Sequence, residues 1–361
     1  MTRRTNPART SRVFLHIGAP VAGSPYLRDC LARHRRKLTR YGVFYPPSHL
    51  GHDGGHLDAV LDVLDLSAEV QAATSGAWDR LAESARDWRR GTVVISHELL
   101  AGASENQIER IVGSFAKAEV HIVYAARDLA RQIPLAWAEW VRSGGTATFQ
   151  GYTQRVVEHD EHRLSQVFWR THAIDEVLAR WATYVPAERI HLLTLPQDPG
   201  PSTAVWDRFT QIIGINSRKF KVNPDDHAEP LGLVDNEVLR LLNAESVDHA
   251  PLRRIDRVRS VLVDHPGASA AVELTHEARL RDEAERMLAK VEGAGYAVAG
   301  DLADLVPSPG SFADPAPGEV SQDDVVITQT RLIAALISDD AGPAGFGRRA
   351  LGWLSGRPAR N

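Results

Sequence analysis

The first strongly patterned stretch of the chain is a short apolar run that leads into small residues and then into a helical pattern. Residues 13–17 (VFLHI) are almost entirely apolar, which is typical of a buried strand. Glycine, alanine, proline and valine fill the turn between Gly18 and Ser24. Ser24 is a favoured helix N-cap, and Pro25 is tolerated at the first helical position. The pattern predicts a strand, a loop and a helix N-terminus that together present free backbone N–H groups to an anion.

Strand-like runs and helical periods alternate through the first half of the chain. Strands are expected at 92–96, 120–124 and 190–195, and helices at 104–116, 127–142, 151–167 and 172–183. This alternation predicts an α/β fold in which a parallel central sheet is flanked by helices. Ligands of such sheets bind beyond the C-terminal strand ends, so we expect the 18–24 loop, residues 96–98 and Arg127 to meet there.

The second half of the chain is mostly helical in pattern, with one stretch rich in proline, glycine and serine. Helices are expected at 202–214, 233–246 and 271–293, and the stretch 306–321 is typical of a linker. We predict four segments: a flexible basic tail (1–11), one α/β domain with a helical C-terminal half (12–300), a Pro/Gly-rich linker (301–322), and a short helix with a basic tail (323–361).

Composition narrows the class of protein. Hydrophobic residues at 43% and charged residues at 24% are ordinary for a soluble globular protein, and a net charge of −4 gives no basic field for nucleic acid. Cys30 is the only cysteine, which excludes an internal disulfide and is typical of a reducing cytosol. No run approaches the ~20 apolar residues of a membrane helix. We expect a cytoplasmic protein without a transmembrane segment or a nucleic-acid partner, and nothing in the pattern indicates its oligomeric state.

The loop spacing first suggests a nucleoside triphosphatase. That motif is G-x-x-x-x-G-K-[ST], with the lysine on the β/γ-phosphates and the hydroxyl on magnesium. Gly18 and Gly23 have the spacing, but Ser24 and Pro25 occupy the lysine and hydroxyl positions. The strand that ends at Ser96 also lacks a terminal aspartate for the metal. These substitutions argue against an ATPase, a GTPase or an ordinary kinase.

Three segments carry a resemblance to another phosphate-loop family. The chain over roughly residues 12–245 resembles the sulfotransferases that use 3′-phosphoadenosine 5′-phosphosulfate, especially the bacterial members, and this implies a parallel sheet of P-loop, sulfotransferase type. Residues 19–25 (APVAGSP) are similar to the 5′-phosphosulfate loop, residues 94–98 (VISHE) to the strand end that presents a catalytic histidine, and residues 123–128 (VYAARD) to the strand and arginine at the 3′-phosphate. The resemblance places these residues at the nucleotide: Gly18, Ala19, Pro20, Val21, Ala22, Gly23, Ser24, Pro25, Arg127 and Leu135.

The resemblance also implies an activity. A sulfuryl group would pass from 3′-phosphoadenosine 5′-phosphosulfate to a hydroxyl of a small-molecule acceptor, without a metal. His97 would be the general base, with Glu98 orienting it or serving in its place. His97 has a structural alternative, since a histidine after a strand also caps a following helix. Arg127 has one too, an ion pair with Asp128, and Arg131 and Gln132 are alternative phosphate contacts.

Departures from the family pattern weaken the expected activity. The family's loop lysine falls at Val21, one loop hydroxyl is lost at Pro25, and the serine that shares the 3′-phosphate falls at Leu135. Loss of one preorganised donor typically costs about 2.7–4 kcal/mol of transition-state stabilisation. An arginine such as Arg12 or Arg28 over the loop would compensate for this loss. The alternative function is a catalytically inactive member of the fold that binds a nucleotide or a partner.

Two histidine clusters and the C-terminal tail have weaker functional interpretations. His49, His52, Asp53 and His56 lie in a glycine-rich loop, which favours a substrate-side loop over a metal site. His159 and His162 are spaced to share one helix face, which we interpret as solvated. The tail at 345–360 mixes arginines with apolar residues, a pattern that fits a disordered terminus or contact with an anionic surface.

Overall fold

The computed structural model describes residues 11–47, 56–88, 91–197, 203–223, 231–245, 270–313 and 320–338. Within them lies a six-stranded, all-parallel sheet flanked by helices, so the predicted α/β class is confirmed. The strands are β1 (Arg12–Gly18), β2 (Val43–Phe44), β3 (Thr92–Ser96), β4 (Glu119–Ala126), β5 (Ile190–Thr194), β6 (Val272–Glu273), β7 (Ala297–Ala299) and β8 (Phe312–Ala313). The large sheet has the order β2-β3-β1-β4-β5-β7, and β6 pairs with β8 in a separate parallel pair.

Thirteen helices are present among the described residues. They are α1 (Ser24–Arg40), α2 (Leu57–Leu64), α3 (Ala68–Thr74), α4 (Ala77–Asp87), α5 (Glu105–Gly113), α6 (Leu129–Arg142), α7 (Phe149–Glu158), α8 (Arg163–His172), α9 (Ile174–Ala182), α10 (Ala204–Ile213), α11 (Leu233–Glu245), α12 (Glu277–Gly293) and α13 (Gln322–Ser338). None of these described helices is long and apolar enough to cross a membrane.

The burial of the central strand β1 explains why its apolar run predicted a strand. It lies between β3 and β4, and its residues from Val13 onward are buried because helices cover the sheet. A strand buried on both faces is apolar along its whole length rather than at alternate positions. The register pairs His16 with Ser96 and Gly18 with Tyr124, so the C-terminal ends of these strands meet at one edge.

The chain divides into two compact units. The first consists of residues 1–136, 152–228 and 271–316 and contains the sheet, and the second consists of 137–151, 229–270 and 317–361. In the second unit, α11 packs against α13 through Val238, Val325 and Leu332. Asn243 donates hydrogen bonds there to the carbonyls of Val141 (2.7 Å) and Gly145 (3.0 Å). The segment boundaries at 11, 300 and 322 stay predictions.

One predicted helix is wrong. Residues 151–167 form parts of two helices, α7 and α8, and the chain turns between them at His159, which has a φ of 53°. His159 stacks on Trp169 with ring centroids 4.0 Å apart, and the ring of His162 caps α8 by accepting from the Leu164 N–H. The two histidines therefore do not share a helix face.

Candidate functional site

The loop between β1 and α1 has the geometry expected of an anion cradle. Gly23, at the helix N-cap, has a φ of 74° and a close apolar neighbour in Val205, so the position takes no other side chain without strain. The Ala22 N–H and the Ser24 hydroxyl both donate to the Ala19 carbonyl, at 3.2 and 2.9 Å. Within the described residues, the N–H groups of Val21, Gly23 and Ser24 donate no hydrogen bond. These groups are available to an anion.

Val21 holds an unusual backbone conformation in this loop. Its φ of 53° lies in the left-handed region, which is sterically unfavourable for a β-branched residue. The side chain is half-buried and uncharged, at the position where the family pattern has lysine. Pro25, in the first turn of α1, adds no N–H to the cradle. The loop therefore offers backbone donors without a positive side chain of its own.

Among the described residues, neither candidate arginine forms a hydrogen bond or ion pair with the loop. Arg12 begins β1, at the opposite end of the strand, where its guanidinium donates to the Thr92 hydroxyl at 3.1 Å. Arg28 lies one turn into α1, and its Nη1 is 3.1 Å from both Nε2 of His97 and Oε2 of Glu98. The proposed replacement of the lysine by Arg12 is therefore excluded, and Arg28 is engaged with the histidine and the glutamate.

His97 follows β3 directly and is 3% exposed. The backbone N–H of His97 donates to the His16 carbonyl at 3.0 Å. The ring Nδ1 lies 3.3 Å from the Leu99 N–H, so the ring caps the short 3-10 helix Glu98–Gly102. The capping role expected of a histidine at this position is present. The other ring nitrogen, Nε2, lies 3.1 Å from Arg28 Nη1, and a neutral imidazole accepts at only one of its two nitrogens, so the cap and an accepting Nε2 are alternative states of the ring.

Two further histidines, His16 and His56, form hydrogen bonds with Ser96 at the end of β3. His16 Nδ1 is 2.8 Å from the Ser96 hydroxyl, and burial, reinforced by Arg28 and His97, lowers the pKa of His16 to about 3. His56 accepts from the Ser96 N–H at Nδ1 (3.1 Å) and donates from Nε2 to the Pro46 carbonyl (3.0 Å). Both nitrogens of His56 are occupied in these bonds, which argues against a role as metal ligand.

The other members of this histidine cluster, His49, His52 and Asp53, for which a substrate-side loop was expected, lie outside the described residues. Within the ranges that are described, no group of three or more histidine, cysteine, aspartate or glutamate side chains is arranged to hold a metal ion.

Arg127 lies at the same strand edge as the loop. It follows β4, and the Ala19 N–H at the start of the loop donates to the carbonyl of Ala125, two residues before Arg127. The side chain is half-buried, its Nε is enclosed without a hydrogen-bond partner, and desolvation lowers the pKa of the arginine. Among the described residues its guanidinium forms no hydrogen bond and no ion pair, although the neighbouring Asp128 carboxylate attracts it; Asp128 lies 3.6 Å from Arg131 (Oδ2 to Nε). A guanidinium whose Nε is enclosed without a hydrogen-bond partner indicates a candidate anion site.

Gln132, in the first turns of α6, links this helix to the loop. Its amide nitrogen donates to the Pro20 carbonyl at 2.8 Å and lies 3.0 Å from His172 Nε2. His172 donates from Nδ1 to the Phe168 carbonyl at 2.9 Å, so its Nε2 is the acceptor of the glutamine N–H. Burial lowers the pKa of His172 to about 4, which keeps the ring neutral in this arrangement. The α6 and α8 helices thus fix the position of the loop.

Replacement of Gln132 by methionine tests this arrangement. The Gln132→Met variant removes the amide that bonds the Pro20 carbonyl and His172 Nε2, which is expected to cost about 2 kcal/mol of unfolding free energy. Urea unfolding monitored by tryptophan fluorescence measures it. Gln154→Met is the matched control, since Gln154 is exposed on α7, and it is expected to change stability by less than about 0.5 kcal/mol. Equal losses in the two variants would contradict the arrangement.

Sequence reasoning missed part of this site. Leu135 is half-buried in α6 and offers no polar atom, whereas Gln132, three residues earlier, contacts the loop carbonyl. His16 and His172 were not predicted as part of the site. The available signal was His16 itself, a polar residue inside an apolar strand. The contacts of His172 span forty residues of sequence and left no local signal.

Comparisons with known proteins give one structural likeness. No family model matches the chain, and no curated protein matches it. Among solved structures, the chain is similar to a sulfotransferase from Alicyclobacillus acidocaldarius, with 15% sequence identity and a TM-score of 0.40. The match covers 67% of this chain and 98% of that one. A likeness of this extent carries no inference about activity.

Proposed function

We propose that the protein is a sulfotransferase-like enzyme that transfers a sulfuryl group from 3′-phosphoadenosine 5′-phosphosulfate to a hydroxyl of a small-molecule acceptor. The observation that carries the proposal is Arg127, a half-buried arginine whose enclosed Nε has no hydrogen-bond partner among the described residues, at the strand edge where the 18–24 loop begins. Cys30, buried and alone, is compatible with a reducing cytoplasm as the location of the reaction.

Two separate anion sites suit a donor with two phosphate groups. A guanidinium removed from water is costly unless an anion pairs with it, and arginine is well shaped for phosphate oxygens. The free N–H groups of the loop form the second site, at the N-terminus of α1, where the helix dipole favours negative charge. We assign Arg127 to the 3′-phosphate and the loop to the 5′-phosphosulfate, following the order of the family motifs.

The side chains at the edge of β3 supply the proton acceptor. During transfer the acceptor oxygen forms a bond to sulfur while the bond from sulfur to the phosphate oxygen breaks. His97 takes the proton of the acceptor hydroxyl, and Glu98, with Oε2 4.0 Å from His97 Nδ1, stabilises the charged ring. The loop N–H groups stabilise charge on the departing phosphate. No step of this transfer requires a metal.

Calorimetric titration with 3′-phosphoadenosine 5′-phosphate tests the proposal. We expect micromolar binding to the wild type and an affinity at least about a hundredfold lower in Arg127→Ala, because a charged partner of the 3′-phosphate is lost. Arg131→Ala distinguishes the contribution of Arg131 to nucleotide binding from that of Arg127, because Arg131 already contacts Asp128 and the Gln197 carbonyl. Arg110→Ala, which removes an exposed partner of Asp79, is the matched control and is expected to bind normally. Absence of wild-type binding at millimolar nucleotide would overturn the proposal.

A catalytically inactive binding module is the second candidate. Two observations favour it: Val21 leaves the loop without a cation, and the Arg28 guanidinium occupies Nε2 of His97. Transfer of labelled sulfate from the nucleotide donor to a panel of phenols and alcohols separates the candidates. Nucleotide binding without any labelled product would select the binding module over the enzyme.

A further inference from the structure

The contact between Arg28, His97 and Glu98 has a consequence for the resting state of the site. Arg28 Nη1 is 3.1 Å from His97 Nε2 and 3.1 Å from Glu98 Oε2, with the arginine side chain 21% exposed. The ring of His97 lies between two groups that only donate, since Nδ1 faces the Leu99 N–H at 3.3 Å. A neutral imidazole has one acceptor nitrogen and one N–H. Only one of these two contacts is therefore a hydrogen bond at any moment.

The charge-assisted contact is the stronger of the two. The Arg28 distance is the shorter, and a charged donor roughly doubles the strength of a hydrogen bond. With Nε2 accepting from Arg28, the ring proton lies on Nδ1, on the side of Glu98 Oε2. The nitrogen that would accept a proton from an acceptor hydroxyl is thus covered by a cation. In this geometry Nε2 of His97 is not free to accept a proton.

Arg28 is also placed to reach the loop. It lies four residues after Ser24 on α1, and helical side chains lean toward the N-terminus of their helix. An oxyanion on the N–H groups of the loop would therefore be within reach of a partly exposed, flexible arginine. The loop has no cation at Val21. The two anionic partners of Arg28, Glu98 and the bound ligand, would compete for one guanidinium.

We propose that Arg28 is a positioning residue that changes partners when the nucleotide donor binds. In the empty site it holds His97 Nε2 and Glu98. With the donor bound it turns to the oxyanion on the loop, supplies the positive charge that Val21 lacks and uncovers Nε2 of His97. Glu98, released from Arg28, then stabilises the protonated form of the ring from the Nδ1 side. This inference rests on the proposed function and deepens it, because it couples donor binding to activation of the base.

Nitrogen-15 NMR of the His97 ring tests the exchange of partners. The probe is 3′-phosphoadenosine 5′-phosphate, and comparison with His97→Gln assigns the signal. We expect the nucleotide to shift the Nε2 resonance of the wild type from its hydrogen-bonded position toward that of a free acceptor nitrogen. Arg28→Ala is expected to show the shifted position without nucleotide. Arg110→Ala, remote from the site, is expected to behave as the wild type.

Kinetics give an independent readout of the same residue. Arg28→Ala is expected to lower kcat by about a hundredfold, as for loss of one electrostatic donor, with a change of less than tenfold in nucleotide affinity. Arg28→Lys is expected to recover part of kcat, and Val21→Lys in the Arg28→Ala background is expected to restore it by returning a cation to the loop. A wild-type kcat in Arg28→Ala would overturn the inference.

The outcomes distinguish the inference from the function on which it rests. If calorimetry shows nucleotide binding while the His97 signal of the wild type stays unmoved, the exchange of partners is wrong and the proposed function stands. If the wild type does not bind the nucleotide at all, the proposed function itself fails and the inference fails with it.

Discussion

Lowering the pH from 7 to 4 is expected to remove about 6 kcal/mol of unfolding free energy through two buried histidines, about 3 kcal/mol at each. Burial lowers the pKa of His16 to about 3 and that of His172 to about 4, from an ordinary value of 6.5. Both rings are essentially removed from solvent, at 0% and 6% exposure. The loss is comparable with the whole stability of a typical domain, so we expect acid unfolding above pH 4.

The direction follows from the protons bound in each state. Between pH 6.5 and the folded pKa values, the unfolded chain binds a proton at each histidine and the folded chain does not. Unfolding is then favoured by acid, and stability rises with pH until it is fully present above about pH 6.5. His16 lies against Ser96 and His172 lies against Gln132, so protonation disrupts both supports of the site.

Urea unfolding at a series of pH values between 7 and 4 measures the effect. Each of His16→Gln and His172→Gln is expected to lower the slope of unfolding free energy against pH by about one proton, or about 1.4 kcal/mol per pH unit, in the region between pH 6 and 4.5. The difference in slope between each variant and the wild type gives the contribution of that histidine, because the carboxyl groups titrate equally in both proteins. Unchanged slopes in both variants would show that the rings are protonated in the folded protein.

Gly300→Ala is expected to cost about 4 kcal/mol of unfolding free energy. Gly300 follows β7 with a φ of 123°, a conformation that side chains rarely adopt, and an added Cβ would lie 2.1 Å from the Thr194 hydroxyl and 2.6 Å from Arg208. Backbone strain and overpacking each cost about 1–3 kcal/mol. The Thr194 hydroxyl also donates to Asp304 at 2.7 Å and accepts from the Asp301 N–H at 3.1 Å, so it has little freedom to move.

Gly293→Ala is the matched control for this substitution. Gly293 ends α12, with nothing within 4 Å of an added Cβ. Alanine favours helix over glycine, so a gain of up to about 1 kcal/mol is expected at this position. Thermal or urea unfolding of the two variants gives the comparison. A loss of less than about 1 kcal/mol in Gly300→Ala would show that the turn after β7 adapts to the side chain.

Val21 holds a strained backbone conformation in the loop. Residues in sparsely populated backbone regions are costly and cluster at binding sites. Val21 is the clearest instance here, because valine is one of the residues least suited to a φ of 53°. The surrounding contacts, among them the bond from Gln132 to Pro20, hold the loop in this shape. The loop conformation is thus fixed by its neighbours before any anion arrives.

The sequence by itself determined the central strands and the loop that follows the first of them. The predicted strands at 13–17, 92–96, 120–124 and 190–195 correspond to β1, β3, β4 and β5. Strands buried on both faces are continuous apolar runs, and such runs are local properties of the chain. The small residues between Gly18 and Ser24 and the favourable start of α1 are local as well.

Only the tertiary structure decided which polar side chains meet. Strand β7, at the edge of the six-stranded sheet, has only three residues, too few for a recognisable hydrophobic pattern. The contact of Arg28 with His97 joins residues 69 positions apart, and that of Gln132 with Pro20 joins residues 112 apart. Whether Asp128 lies against Arg127 or Arg131 was open from sequence, and in the structure its carboxylate is 3.6 Å from Arg131 Nε. Hydrogen bonds between distant elements depend on how those elements pack, and no local pattern of residues encodes that packing.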